Sequence, residues 1–88
     1  MKRTEVYKLI DGERDYQDKK WGSESNSRHS NHSIEEWLMY IEDYLNEAKH
    51  ILTREFYNEC DQKSMNIMRK IAAMAVCAIE QHGADARS

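Results

Sequence analysis

Flat aromatic faces and positive charges gather near the ends of two helical patterns in this chain: Trp21, Trp37 and Tyr40 supply the faces, and Arg14, Lys20, Arg69 and Lys70 the charges. Stacking surfaces combined with a few cations are what a nucleotide requires, the rings taking the base and the ammonium or guanidinium groups the phosphate. In the first helical pattern, the stripe begun by Val6 and Ile10 continues on the same side through Glu13 or Arg14, Gln17 and Trp21, since positions three and four apart share a helix face. An apolar face has become a polar one. Inward polar groups cost free energy unless they are partnered. The stretch is therefore either a solvated helix end closed by one packed Trp or the wall of a ligand pocket. The pocket reading takes Glu13, Arg14, Gln17, Lys20, Trp21, His32, Trp37, Tyr40 and Arg69 as ligand-binding residues, with His32 folding over the entrance. Core packing is the competing role for Trp37.

Metal and nucleophile chemistry have weaker footholds. His29 and His32 form an H-x-x-H spacing that offers two corners of a zinc site, without a Cys pair or a third ligand nearby. Glu36, Asp43 and Glu47 fall within a broad stripe of one helix and are candidates for Mg²⁺, but an oxygen cage needs a second acidic helix. The last helical pattern has only Glu80 near its end, with Arg69 and Lys70 in its middle, so a solvated acidic face competes with the metal reading. No glycine-rich phosphate loop, nucleophile elbow or Cys/His dyad is present. The leading expectation is thus binding without catalysis, metal or cofactor, with Mg²⁺ entering only under the alternative. Cys60 and Cys77 would lie about 25 Å apart along a helix, beyond disulfide reach. Both read as reduced thiols, Cys77 in the core and Cys60, near a helix start, the better placed to react.

Three helices must position these groups. The first is expected over about 4–21, from a Thr4 N-cap to a stop at Gly22. A Ser-, Asn- and His-rich loop then spans 22–33. Ser33 and Glu36 form a capping box that opens a second helix over about 34–55, with the stripe Leu38, Ile41, Leu45, Ala48 and Leu52 facing a core. The third is expected over about 62–82, ending at Gly83, with Met65, Met68, Ala72, Ala75 and Ile79 as its inner stripe. The predicted fold is all-α, a small three-helix antiparallel bundle forming a single domain over residues 1–88 and completed by oligomerisation. The alternative is a hairpin of the second and third helices that completes its core with a second chain, an interface suited to the Met-rich third helix.

Composition points the same way. A chain of 88 residues buries only roughly 60 to 65% of its unfolded surface, which favours a homo-oligomer. With no Pro, three Gly, 40% hydrophobic and 33% charged residues, the sequence reads as a helical globular chain. A net charge of −3 leaves no general basic footprint for gripping nucleic acid. No apolar run approaches the roughly 20 residues that span a bilayer, and the charged start lacks a secretory apolar core. The expected location is the cytoplasm, without a membrane partner.

The segment Glu13 to Gly22, followed by His32, Glu36-Trp37, Ile41 to Ala48, Arg69 to Met74 and Glu80 to Gly83, resembles short phage-encoded proteins of mostly unassigned function. The resemblance covers nearly the whole chain. At a greater distance, Gln17 to Gly22 and the acidic second helix are similar to MazG-like nucleoside triphosphate pyrophosphohydrolases, which hold Mg²⁺ on a Glu-Glu-x-x-Glu helix and a later Glu-x-x-Asp helix. Here Glu42 and Asp43 are followed by Asn46, with Glu47 one place late, and the third helix has no Glu-x-x-Asp. The resemblance implies a nucleotide-shaped pocket without the metal catalyst. A phage accessory protein of that kind, in an infected bacterial cell, would bind a nucleotide-like host immune signal without destroying it. The other readings are a divergent Mg²⁺-dependent pyrophosphohydrolase using Glu36, Asp43 and Glu47, and an inhibitor docking on a host enzyme through the acidic face of the second helix.

Overall fold

The computed structural model describes residues 1–21, 31–54 and 59–87. They form three helices, α1 (Arg3–Trp21), α2 (Ile34–Arg54) and α3 (Cys60–His82), and no strand occurs among the described residues. Gly22, His29 with its H-x-x-H spacing, and Glu55, the expected last residue of the second helix, lie outside the described residues.

Each helix end has a local cause. The N–H groups of Glu5 and Val6 donate to the Lys2 carbonyl at 3.0 and 3.1 Å, so α1 starts a residue earlier than expected, and Thr4 sits inside the first turn instead of capping it. At the start of α2 the capping box is complete: the Ser33 N–H donates to Glu36 Oε1 at 3.0 Å and the Glu36 N–H to Ser33 Oγ at 3.1 Å. Two otherwise orphaned amide donors are thereby satisfied. At the end of α3, Gly83 adopts a φ of 77°, where a side chain would be strained, and donates its N–H to the Ile79 carbonyl at 2.7 Å.

The hydrogen bonds from Ser33 hold the Glu36 carboxyl below its ordinary value, with His32 adding to the effect. A carboxylate whose pKa is lowered by folding contributes stability that is present above its unfolded pKa and lost as the pH falls through the folded one. Acidification through and below 4.5 should therefore weaken the start of α2. Ser33→Ala should cost about 1 kcal/mol by removing the reciprocal cap, read as a lower urea midpoint with an unchanged slope.

α3 is the central element. Both α1 and α2 pack on it and, among the described residues, the backbones of α1 and α2 do not pack on each other. α2 and α3 run antiparallel: Trp37 Nε1 donates to Gln81 Oε1 at 2.9 Å near one end of the pair, and Ser64 Oγ donates to the Ala48 carbonyl at 3.0 Å near the other. Between these ties lies the core cluster of Trp37, Met74 and Cys77, against which Ile41, Tyr44 and Ala78 pack. α1 is held by polar ties. Arg14 forms a two-pronged contact with Glu80, both N···O distances 3.0 Å, and also reaches Asp18. Arg69 Nε donates to Glu13 Oε1 at 2.8 Å.

The helices are therefore the expected ones, but their apolar stripes are turned differently. Leu38, Leu45 and Leu52 of α2 are exposed, whereas Trp37 and Ala48 are buried. On α3, Met65, Met68 and Ile79 are exposed, while Ser64, Ile67, Ala73, Met74 and Cys77 are buried. The reason is geometric: α1 and α2 take two flanks of α3, leaving the apolar seam between those flanks uncovered. Both cysteines are free and buried, including Cys60, read from the sequence as the better placed of the two to react. Burial pushes the Cys77 thiol above its ordinary value, against the opposing pull of Arg14, so it stays protonated near neutrality. No helix among the described residues is long and apolar enough to cross a membrane.

Candidate functional site

Because α1 and α2 stand apart on α3, a groove runs between them with α3 as its floor. One part, about 270 Å³, is lined by Glu13, Gln17, Lys20 and Trp21 of α1, Tyr44 of α2, and Arg69, Lys70 and Met74 of α3. The adjoining part, about 290 Å³, is lined by Trp21, His32, Trp37, Tyr40, Tyr44 and Met74. Trp21, Tyr44 and Met74 belong to both parts, so the groove is continuous. Each volume is close to the lower bound for small-molecule sites, and together they fall within that range.

The polar wall has an unusual feature. Glu13 and Gln17 are the two buried residues of α1. Glu13 is satisfied by Arg69. Gln17, only 3% exposed, donates through Nε2 to the Lys70 carbonyl at 3.3 Å, but its Oε1 is buried and accepts no hydrogen bond. A buried acceptor left unmatched costs about 1 to 3 kcal/mol. Gln17 is also one of the residues that line the groove.

Cations and rings alternate along this part of the groove. Lys20 Nζ lies 5.9 Å from the Tyr16 ring centroid, and Lys70 Nζ lies 5.9 Å from that of Tyr44. In the adjoining part, His32 meets Trp37 and Tyr40 edge to face, at centroid distances of 5.0 and 5.1 Å. His32 is placed by α3: its backbone N–H donates to Gln81 Oε1 at 3.2 Å, and its carbonyl accepts from His82 Nε2 at 2.7 Å. Its ring Nδ1 stands 3.7 Å from Glu36 Oε2.

The structure thus brings Glu13, Gln17, Lys20, Trp21 and Arg69 together in one part of the groove, and His32, Trp37 and Tyr40 in the other. It does not bring Arg14 to either part. The Arg14 guanidinium is engaged with Glu80 and Asp18; burial opposes its charge, but these two carboxylates more than compensate and raise its pKa above its already high ordinary value. Arg69 faces the groove already paired with Glu13, and Trp37 is 4% exposed, presenting an edge of wall more than an open face. Glu36 is used by the capping box, and no three His, Cys, Asp or Glu side chains among the described residues converge on a point that could hold a metal ion.

Tyr44, Met74 and Gln81 escaped the reading of the sequence. Tyr44 had a signal, since it lies four residues after Tyr40 and seven after Trp37 on one side of α2. Gln81 had none: its value comes from accepting hydrogen bonds from both the Trp37 ring and the His32 backbone. Comparison of the chain with protein-family models, curated proteins and solved structures finds no match.

Proposed function

We propose that this chain is a binding protein for a nucleotide-like small molecule, which it holds in the groove between α1 and α2 without transforming it. The observation that carries this reading is the buried, unmatched Oε1 of Gln17 on the wall of a groove that also presents rings and cations. A base N–H donates to Gln17 Oε1, Trp21 and Tyr44 flank the ring, and Lys20 and Lys70 meet phosphate, because Arg14 and Arg69 are already neutralised by carboxylates. His32 and Tyr40 close the adjoining part around a second ring or a sugar.

The resemblance to short phage-encoded proteins gives such binding a purpose: sequestration of a host immune signal, such as a cyclic nucleotide or an ADP-ribose derivative, in the cytoplasm of an infected bacterium. We further place the groove in an oligomer of identical chains, because no large side chain among the described residues is fully buried.

The test is thermal denaturation of the purified protein with cyclic nucleotides, ADP-ribose derivatives and nucleoside triphosphates in turn. A ligand at a hundred times its dissociation constant stabilises the native state by about 2.7 kcal/mol, a shift of many degrees for a domain this small. The ligand released by heat should be intact. If none of these compounds shifts the transition, the nucleotide reading fails. A ligand returned cleaved in a Mg²⁺-dependent manner, with cleavage lost in Asp43→Asn, would establish the hydrolase instead.

A further inference from the structure

We infer that the apolar face on the side of α3 away from the groove is the interface of a homodimer, in which the α2/α3 hairpins of two copies form a four-helix core. This deepens the oligomer reading above by assigning its surface, and it is independent of what fills the groove.

The face is built from two heptad patterns. On α3, Met65, Met68, Ala72, Ala75 and Ile79 follow alternating steps of three and four, the spacing of a coiled-coil seam whose side chains insert between those of a facing helix. Met65, Met68 and Ile79 are 58, 46 and 53% exposed, so that seam has no occupant among the described residues. On α2, Leu38, Leu45 and Leu52 recur every seventh residue and are exposed as well. The two rows join, since Leu38 and Ile41 share a groove with Ala75 and Ala78. Val6 and Leu9 of α1 extend the same surface beside Met65 and Met68. By helical spacing, Met74 and Lys70 point to the other side of α3 from this seam, so a partner seated on it leaves the ligand groove open.

The occupant follows from area and charge. Leu38, Leu45, Leu52, Met65, Met68 and Ile79 are each at least 42% exposed on this one face, whereas monomers rarely expose contiguous apolar patches larger than a few hundred Å². A partner in an interface of standard size buries roughly 800 Å². The seam positions Met65, Met68, Ala72, Ala75 and Ile79 are all uncharged, and the charged group beside them, Arg69, is paired with Glu13. An amphipathic helix that lies on an anionic membrane is instead rimmed by Lys and Arg, and here Glu35, Glu42 and Lys49 flank the leucine row, a mixed rim in a chain of net charge −3. An apolar seam with small residues at its centre matches a second copy of itself.

The methionines provide the test in the unaltered protein. Met39, on the outer side of α2, is 69% exposed, so in an isolated chain it and the seam methionines would oxidise at comparable rates. Purified protein at micromolar concentration should sediment at about twice 10.5 kDa. Under dilute peroxide, Met65 and Met68 should then form sulfoxide at least about fivefold more slowly than Met39, measured by mass spectrometry of proteolytic fragments. A monomer would overturn both the oligomer and the surface. An oligomer in which Met65 and Met68 oxidise as fast as Met39 would overturn the assigned surface alone, and neither result would bear on the nucleotide shift.

Discussion

Gln17→Met is expected to make the ligand-free protein more stable and, at the same time, to abolish stabilisation by a nucleotide. The Gln17 amide is 3% exposed and its Oε1 has no hydrogen-bond partner, a debt of about 1 to 3 kcal/mol in the empty protein. Methionine replaces the amide with an unbranched apolar chain of similar length and leaves no polar atom to satisfy. The bond lost, to the Lys70 carbonyl, is long at 3.3 Å, and that carbonyl lies within α3, where the helix supplies an acceptor's usual partner. The melting temperature should rise by several degrees, since about 1 kcal/mol corresponds to roughly 4 to 8 °C in a domain of this size. With a nucleotide present, the wild-type transition should move up and that of the variant should stay. A variant that melts lower than wild type, or that still responds to ligand, would mean that Oε1 is not reserved for a ligand donor.

Trp37→Ala should cost about 3 to 5 kcal/mol, enough to unfold much of a small domain whose total stability is of order 5 to 15 kcal/mol. Trp37 is at the centre of the core cluster with Met74 and Cys77. Truncation would leave a cavity beside those residues and remove the donor to Gln81. Gln81 would retain the His32 backbone N–H and His82 the His32 carbonyl, so the entry to α2 would lose one of these three hydrogen bonds to α3. Trp37→Phe separates the contributions, keeping a ring in the core while deleting the Nε1 donor, and should cost considerably less. Far-ultraviolet circular dichroism in a urea titration distinguishes them: Trp37→Ala should have a midpoint near zero urea and Trp37→Phe an intermediate one. Near wild-type stability in Trp37→Ala would show that the cluster is not the core of the fold.

The start of α2 and the end of α3 were legible because their causes are local. A Ser and a Glu three residues apart can close a capping box wherever a helix follows, and a Gly after an apolar stripe can take the positive φ that ends one. The burial of Glu13 and Gln17 could be anticipated for the same reason, since the apolar side of α1 continues directly into them. The direction of the stripes on α2 and α3 could not. A heptad pattern shows that one side of a helix is apolar, but not whether an intrachain neighbour or another molecule covers it. Leu38, Leu45, Leu52, Met65 and Met68 were thus read as inward and are exposed. Arg14 illustrates a second limit. Its charge and position suit phosphate binding, but its true partner, Glu80, lies 66 residues further along the chain, a distance that no spacing rule crosses.

The separation of α1 from α2 has one more consequence. Among the described residues the backbones of the two walls each pack on the same central helix and not on each other, so the width between them is set by where they grip α3. On the proposed reading the two walls need not part to admit a ligand; the movement required is that of the Gln17 amide, whose Oε1 is buried in the empty groove. The cost of association would then be confined largely to immobilising the ligand and a few side chains such as Gln17 and Lys20, leaving most of the contact energy available as affinity. A polypeptide of this length has little stability to spend on rearrangement, and a cleft held open by its own scaffold would let the proposed ligand bind with little of it spent.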